Sequence, residues 1–286
     1  MKVLVFGETG QVARALALAG PARGMTVQTL DRAQADLSDP TACAAAVMTT
    51  DADAVINAAA WTAVDAAEAQ EDAAHVINAD SPRAMARACT ARGLPFVHIS
   101  TDYVFDGTPG SAWTPDAPTG PLGAYGRTKL AGERAVLDSG GLAVVLRTAW
   151  VFDGTGKNFV TTMLRLSQTH DTLRVVADQI GGPTPADAIA DACLTIAQAL
   201  VDGTGQGGVH HFSGAPDVSW ADFARAIFVT AGRNVTVTDI TSADYPTPAA
   251  RPSNSRLDCT SLKAAFDIDR PGWQDALTLI IKEAQA

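Results

Sequence analysis

The chain opens on an apolar run, Val3-Leu4-Val5-Phe6, that breaks at once into Gly7-Glu8-Thr9-Gly10-Gln11-Val12-Ala13. A buried strand, a glycine turn and a helix start, in that order, can hold a dinucleotide pyrophosphate. Gly7 permits the tight turn, Gly10 lets the backbone approach phosphates, and the small Ala13 permits close helix–strand packing. The free N–H groups of the helix N-terminus then face the anion. A glycine pattern alone also serves as a plain structural turn. Its place directly after a strand, at the head of a long alternation, gives it weight.

The alternation continues through the first half. Residues 11–19 read as a helix closed by Gly20-Pro21, and residues 26–30 as a second strand. Asp39-Pro40 starts a helix, with Asp as N-cap and Pro at the first helical position. Residues 54–57 read as a third strand, and Ser81-Pro82 starts a further helix that Gly93 stops. Residues 96–100 and 142–148 read as strands on either side of the helix that carries Tyr125. Strands apolar on both faces, alternating with helices, indicate a parallel sheet covered on both sides. The expected class is α/β, a Rossmann-type doubly wound parallel sheet, with residues 1–150 as the dinucleotide-binding domain. Beyond Trp150 the pattern loosens. Residues 154–158 read as a loop, 178–185 as too rich in Gly and Pro for a regular element, and 203–208 as a flexible connector. Ser219 opens a helix, and residues 243–255, with three prolines, read as an extended, ordered loop. Residues 151–286 are expected to form mainly a smaller C-terminal substrate-binding lobe, with some segments returning to the sheet.

A formal net charge of −10 argues against polynucleotide backbones and anionic membranes as partners, since both need a positive field. It leaves room for an anionic small molecule held by a few local cations. Cys43, Cys89, Cys193 and Cys259 are far apart and form no C-x-x-C pair; three of them fall in helix-like or element-flanking apolar sequence and read as buried structural thiols, which fits a reducing compartment. There is no basic-then-apolar leader and no apolar run near the ~20 residues that span a bilayer. The expected location is cytoplasmic. The five histidines form no ligand cluster and the acidic residues are dispersed, so no metal site is expected; His98, inside a strand, reads as a satisfied core residue.

Tyr125-x-x-x-Lys129 puts a phenol and an ammonium on one helix face. An unperturbed tyrosine has a pKa of about 10, and a nearby ammonium together with an oxidised nicotinamide would stabilise its phenolate. In the reductive direction the same phenol donates a proton to a carbonyl oxygen while hydride reaches carbon. Lys129 would also hydrogen-bond the nicotinamide ribose. The pair alone is common on helix surfaces. Its context is Ser100-Thr101-Asp102, just past a strand's carboxyl end, where active-site groups gather in open α/β sheets. Thr101 can hydrogen-bond the same substrate oxygen and is the third catalytic group. Tyr103 reads as a binding surface or as packing under the next loop, and Trp150 as a stacking surface or as core. Asp31, roughly 20 residues past the turn, suits the ribose diol of NAD, whereas the adjacent Arg32 suits the phosphate of NADP; both NADH and NADPH stay open. Asp36-Leu37 reads as flanking the adenine or as a solvated loop. Asn57-Ala58-Ala59-Ala60 ends a strand with small side chains that let a ligand come close.

Further motifs carry a family likeness. Gly7-x-Thr9-Gly10-Gln11-Val12, Asn57-Ala58-Ala59-Ala60-x-Thr62-Ala63-Val64-Asp65, Ser100-Thr101-Asp102-Tyr103-Val104-Phe105-Asp106-Gly107 and Tyr125-Gly126-x-Thr128-Lys129-Leu130-Ala131-Gly132-Glu133 are four of them. Arg147-Thr148-Ala149-Trp150-Val151, Asp178-Gln179-x-Gly181-x-Pro183-Thr184 and Tyr245-Pro246-Thr247-Pro248-Ala249-x-Arg251-Pro252-x-Asn254-Ser255-Arg256-Leu257 are the others. Over essentially the whole chain they resemble the dTDP-4-dehydrorhamnose reductases, within the extended short-chain dehydrogenase/reductase superfamily.

The resemblance implies reduction of the 4-keto group of dTDP-4-dehydro-L-rhamnose to dTDP-L-rhamnose, for cell-surface polysaccharide, with NADPH or NADH. It implies that Gly10, Gln11, Val12, Asp31, Asp36, Leu37, Ala60, Trp61 and Thr62 line the cofactor. Thr101, Asp102 and Trp150 would contact the sugar nucleotide, with Arg251 and Arg256 as candidates for its diphosphate. Three departures stand out. Trp61 takes a place where relatives often carry His, and Ala250-Arg251 replaces a common Arg-Arg. Residues 14–19 offer no carboxylate for the magnesium-bridged dimer that some relatives form, so monomer and homodimer both stay open. Two other readings are another nucleotide-sugar 4-ketoreductase or epimerase, and a non-catalytic regulatory subunit like that of methionine adenosyltransferase. Retention of Thr101, Tyr125, Lys129 and the Arg251 loop counts against the last.

Overall fold

In a computed structural model, which describes residues 1–108 and 110–285 and their side chains as far as residue 283, strand and helix alternate from the start. The first half runs β1 (Lys2–Phe6), α1 (Gln11–Ala22), β2 (Thr26–Leu30), α2 (Pro40–Thr49), β3 (Ala54–Asn57), α3 (Val64–Ala69), α4 (Glu71–His75), α5 (Ser81–Arg92), β4 (Phe96–Thr101), α6 (Ala124–Leu137) and β5 (Ala143–Thr148). The second half runs β6 (Val151–Phe152), α7 (Phe159–Leu166), β7 (Thr172–Val176), β8 (Ile180–Gly181), β9 (Thr184–Pro185), α8 (Ala186–Val201), β10 (Gly208–His211), β11 (Val218–Ser219), α9 (Trp220–Thr230), β12 (Thr236–Ile240), β13 (Asn254–Ser255), α10 (Thr260–Phe266) and α11 (Trp273–Gln285). Among the described residues no helix is long and apolar enough to cross a membrane.

The architecture is the expected α/β, Rossmann-type parallel sheet. Its strand order is β2-β1-β3-β4-β5-β10, every neighbouring pair parallel. The order reverses between β1 and β3, so the glycine turn that ends β1 opens at the switch point, where a crevice forms between diverging connections. Leu16 of α1 and Ile189, Cys193 and Ile196 of α8 cover one face of the sheet. Cys43 of α2, Met85 and Cys89 of α5 and Val136 of α6 cover the other. Phe152, Met163, Phe223, Ile227, Trp273 and Leu277 make a separate core among β6, α7, α9 and α11. All four cysteines are buried and unpaired, as expected of structural thiols.

Local signals act as anticipated at two helix starts. Asp39 Oδ1 accepts from the N–H groups of Thr41 and Ala42 at 2.9 and 3.1 Å, and Ser219 Oγ accepts from the N–H of Asp222 at 3.0 Å. Three expectations need correction. First, α1 runs through Gly20-Pro21 to Ala22. Gly20 is there for contact with β2, because a Cβ on it would sit 2.2 Å from Val27 Cγ2. Pro21 falls in the last turn, where its missing N–H removes a single helical bond.

Second, Ser81-Pro82 does not begin a separate helix. Asp80 and Ser81 are already helical, and one π turn, Val76–Asp80, joins α4 to α5. Pro82 has no N–H for the carbonyl of Asn78, and the wider turn absorbs the mismatch. Gly132 of α6 packs against that carbonyl: a Cβ there would lie 2.0 Å from Asn78 O. Third, residues 178–185 are not wholly irregular. β8 pairs with β11 and β13, and β9 with β6, which brings this segment beside the 253–255 segment.

A buried polar cluster locks α6 to the sheet. Arg147 of β5 makes a two-pronged pair with Glu133 of α6, Nη2 to Oε2 at 2.7 Å and Nε to Oε1 at 2.9 Å. Ser100 Oγ of β4 donates to Glu133 Oε1 at 2.5 Å. Arg147 Nη1 reaches the carbonyl of Pro115 at 3.1 Å and His211 Nε2 of β10 at 3.3 Å. His211 is neutral, its pKa lowered to about 3 by burial and by Arg147. Its Nδ1–H donates to the carbonyl of Trp113 at 3.0 Å, so Nε2 is free to accept. Each member is satisfied.

Seating α6 against the π turn leaves no room for a side chain at residue 132. Gly132→Ala is expected to cost about 1–3 kcal/mol of unfolding free energy through overpacking against backbone. Urea denaturation would measure it; an unchanged midpoint would mean that the two helices can part without penalty.

Candidate active site

The carboxyl ends of β1, β3, β4 and β5 surround a cavity of about 470 Å³. From the glycine turn come Thr9, Gly10, Gln11 and Val12, and from the end of β3 come Ala58, Ala59, Ala60 and Thr62. β4 and the short turn after it supply Thr101, Asp102 and Tyr103, α6 supplies Tyr125 and Lys129, and the end of β5 supplies Thr148 and Trp150. Most of the anticipated groups therefore meet in one place. Gly126, beside Tyr125, lets α6 close on this turn, since a Cβ there would lie 2.2 Å from Tyr103 O.

The turn fits a phosphate-bearing dinucleotide. Gly7 adopts φ 109° and its N–H bonds Leu30 O at 3.0 Å, a conformation that strains any residue with a Cβ. No side chain caps the start of α1 and its first turn carries no acidic residue, so its N–H groups are available to an anion. Arg14 ties this helix to the loop after β6, Nη2 bonding Asp153 Oδ2 at 2.7 Å and Thr155 Oγ1 at 2.8 Å.

Other anticipated cofactor residues lie off the cavity lining. Gly7 shapes the turn from beneath. Asp31, Arg32, Asp36 and Leu37 follow β2, at the sheet edge beyond the cavity. Asp31 Oδ1 accepts from the N–H of Gln34, and Asp36 Oδ1 from that of Ser38 at 2.8 Å, which holds the Asp36 carboxyl below its usual range. Leu37 is buried, and its carbonyl accepts from Ser81 Oγ at 2.6 Å. Trp61 is also off the lining. Its indole N–H bonds Ala63 O at 3.1 Å, and its ring packs in an alanine cluster that also supports Tyr125.

Tyr103 and Trp150 also wall a second cavity of about 700 Å³ on their other side. Trp150, at φ 51°, stacks on Trp220 with ring centroids 3.5 Å apart, and Tyr103 meets Tyr125 edge to face at 5.4 Å. Gly181 is required here, because a Cβ would come 2.8 Å from the Trp150 ring. Arg251 lines this second cavity and pairs with Asp65 of α3, Nη2 to Oδ2 at 3.0 Å. Arg256 is not among the residues that line either cavity. Its Nε bonds Asn254 Oδ1 at 2.9 Å and its Nη2 bonds the carbonyl of Gly110.

A family model described as the RmlD substrate binding domain matches residues 1–286. A dTDP-4-dehydrorhamnose reductase of Sinorhizobium fredii is 41% identical over 288 residues, covering 98% of this chain and 97% of its own. The chain belongs to the dTDP-4-dehydrorhamnose reductase family. The crystal structure of a family member from Clostridium acetobutylicum matches with a TM-score of 0.93 at 36% identity over 100% of both chains. One from Bacillus anthracis, solved in complex with NADP, matches with a TM-score of 0.92 at 30% identity over 99% of each.

Within this reductase-family site, burial sets the protonation states. Tyr125 has its pKa pushed up to about 12 by desolvation, with the Thr101 hydroxyl pulling back and Asp102 adding to the rise. The expected phenolate-stabilising ammonium is engaged elsewhere: Lys129 Nζ donates to Ile99 O at 2.8 Å and lies 3.4 Å from His98 Nε2. The phenol is therefore neutral in this structure. Lys129 itself is buried, which lowers its pKa to about 8, while Glu133 pulls it upward. Thr101 Oγ1 donates to Asp102 Oδ1 at 3.2 Å and accepts the N–H of Tyr103 at 3.2 Å.

Burial likewise raises Asp102 to about 6, offset in part by the Ser255 and Thr101 hydroxyls. Among the described residues Asp102 Oδ2 and Thr148 Oγ1 are buried without a hydrogen-bond partner. Both residues line the first cavity, where a ligand can satisfy them. Sequence reasoning missed Thr148, although it pairs in register with Thr101 and carries the same signal, a strand-end hydroxyl. It also missed His98 as a neighbour of Lys129, and Trp220, for which nothing local gave a cue.

Because the folded state holds the Asp102 proton more tightly than the unfolded chain does, the associated stability is full below about pH 4 and lost as pH rises through about 6. Asp102→Asn removes that dependence. Relative to wild type it should gain ~3 kcal/mol between about pH 3 and pH 7. Urea denaturation at both ends reads it, and parallel pH profiles would rule out the raised pKa.

Proposed function

We propose that this chain reduces the 4-keto group of dTDP-4-dehydro-L-rhamnose to dTDP-L-rhamnose with NADPH or NADH, and that Tyr125 is the proton donor. The observation that carries the reading is a neutral phenol beside the Thr101 hydroxyl, in a cavity shared with the glycine turn. When bound, the nicotinamide supplies the hydride. The residues that would hold it are Gly10, Gln11 and Val12 at the pyrophosphate, Ala60 and Thr62 along the end of β3, and Lys129 at the ribose. Asp31, Arg32, Asp36 and Leu37 lie on the adenine side. The NADP complex of the Bacillus anthracis relative supports the phosphorylated cofactor, and Arg32 supplies a cation suited to its phosphate.

On the substrate side, Thr101 and Tyr125 orient the ketone oxygen. As hydride reaches C4, negative charge grows on that oxygen and the Tyr125 proton moves to it, forming the hydroxyl of the product and leaving a phenolate. Burial keeps the Tyr125 phenol protonated through neutral pH, so the proton is present to be transferred. Residues 151–286 act mainly as the substrate-binding lobe: Trp150, stacked on Trp220, offers a flat surface for a ring, and Arg251 offers a cation for the diphosphate. Arg256 acts by ordering the loop around Asn254 in place of touching phosphate. The full-length likeness to named reductases supports this substrate over other nucleotide sugars.

With NADPH and synthesised keto sugar, loss of nicotinamide absorbance should accompany an L-rhamno product by NMR. A 4-epimer, or no turnover, would sink the assignment. Tyr125→Phe should lower turnover about 10²–10⁴-fold and leave NADPH affinity near that of the wild type, as for removal of a general acid; near-normal turnover would take Tyr125 out of that role.

A further inference from the structure

Lys129 stands at the end of a hydrogen-bond chain that the reaction above leaves unused. The N–H of Ala59 donates to Asn57 Oδ1 at 3.1 Å, which fixes the orientation of the Asn57 amide. Its Nδ2 then faces His98 Nδ1 at 3.1 Å. An amide NH₂ only donates, so Nδ1 accepts, and a neutral imidazole must carry its proton on Nε2. His98 is neutral: it is fully buried in β4, and both burial and Lys129 hold its pKa well below the usual range. That Nε2 lies 3.4 Å from Lys129 Nζ.

An Nε2–H opposite an ammonium sets donor against donor. A neutral amine closes every valence: its lone pair accepts from His98 Nε2–H, one N–H goes to Ile99 O at 2.8 Å, and the second is free for the cavity. Turning the imidazole to its other tautomer would oppose Nδ1–H to the Asn57 amide. Turning that amide would cost the Ala59 N–H its acceptor. The chain thus has a direction, set by one backbone N–H.

We propose that Asn57 and His98 are positioning residues that present a hydrogen-bond donor to Lys129 and so favour its neutral amine over its ammonium. The proposal rests on the reading of this cavity as the reductase site, with Lys129 at the cofactor ribose. Glu133, one turn on in α6, opposes the effect, but its carboxylate is already bound by Arg147 and Ser100. Tyr125, Asp102, Tyr103, Arg14 and Lys157 line the same cavity. None of them takes the place of His98 in contact with Nζ. A lysine that titrates near neutrality can exchange a proton with the cavity between turnovers, which an ordinary ammonium cannot.

The sequence has five lysines, and among the described side chains Lys129 alone is buried, so lysine ¹³Cε NMR of the full chain can follow it. Its resonance is assigned by its loss in Lys129→Met. The wild type should show this resonance titrating with a midpoint near 8. His98→Gln can turn a carbonyl oxygen to Nζ, and should raise the low midpoint by at least about one pH unit. An unmoved midpoint overturns the proposal. Long-range ¹H–¹⁵N spectra of the wild type read the tautomer without any variant: a proton on Nε2 is required, and one on Nδ1, or on both nitrogens, overturns it. Neither measurement needs turnover, so its failure would leave the reductase reading intact, and a failure of turnover would leave this chain of bonds standing.

Discussion

The buried pair between Glu133 and Arg147 is the contact on which the geometry of the site depends. Tyr125, Lys129 and Glu133 recur at intervals of four along α6, so the carboxylate gripped by the sheet lies on the same stripe as the phenol and the lysine. Through it α6 is held to β5 by Arg147, to β4 by Ser100, and to β10 by way of His211. Such a pair adds little net stability over apolar packing, because desolvation offsets most of its attraction; losing one partner costs about 3–5 kcal/mol through the charge left behind. What the cluster supplies here is register. A slide of α6 along the sheet would break several directional bonds at once, whereas apolar side chains would tolerate it.

Burial then decides the chemistry. A tyrosine four residues before a lysine suggests an ionised phenol held by an ammonium, but the folded chain turns that lysine toward Ile99 and His98 and removes water from the phenol. The phenol keeps its proton, the lysine gives up its own more readily, and Asp102 and Thr148 retain polar atoms with nothing to bond. These are costs in the free protein that a ligand can relieve. A site built this way favours the bound state by leaving its own polar groups incomplete. Tyr103 and Trp150 line both cavities.

Much of this was legible in the residues because the signals are local. Five of the six strands of the sheet were placed to within a residue or two, since a parallel strand buried on both faces is a continuous apolar run with turn residues at its ends; β10, which begins at Gly208 inside the segment read as a connector, was not. The caps at Asp39 and Ser219 were legible for the same reason, as each uses its own side chain on the next turn of backbone. Tyr125, Lys129 and Thr101 could be singled out because strand-end and helix-face positions follow from period and order. By contrast, Gly20 and Pro21 looked like a helix stop, and Ser81-Pro82 like a helix start. In the first case the glycine answers a contact with Val27; in the second the proline is absorbed by a π turn. The side chains of Arg251 and Arg256 looked equivalent, yet one reaches a cavity and the other is spent on Asn254 and the carbonyl of Gly110.

By itself, then, the order of residues determined the α/β class and the glycine turn after the first strand, and singled out a phenol, a lysine and a threonine, because each depends on spacing along a single element; that the turn opens at the switch point came from the strand order of the folded sheet. Only the tertiary structure decided which groups share a cavity, which side chains are partnered, and which protonation states they hold. Those properties depend on burial and on contacts between segments as far apart as Asn57, His98 and Lys129, and no spacing in a linear chain encodes the removal of water from between them.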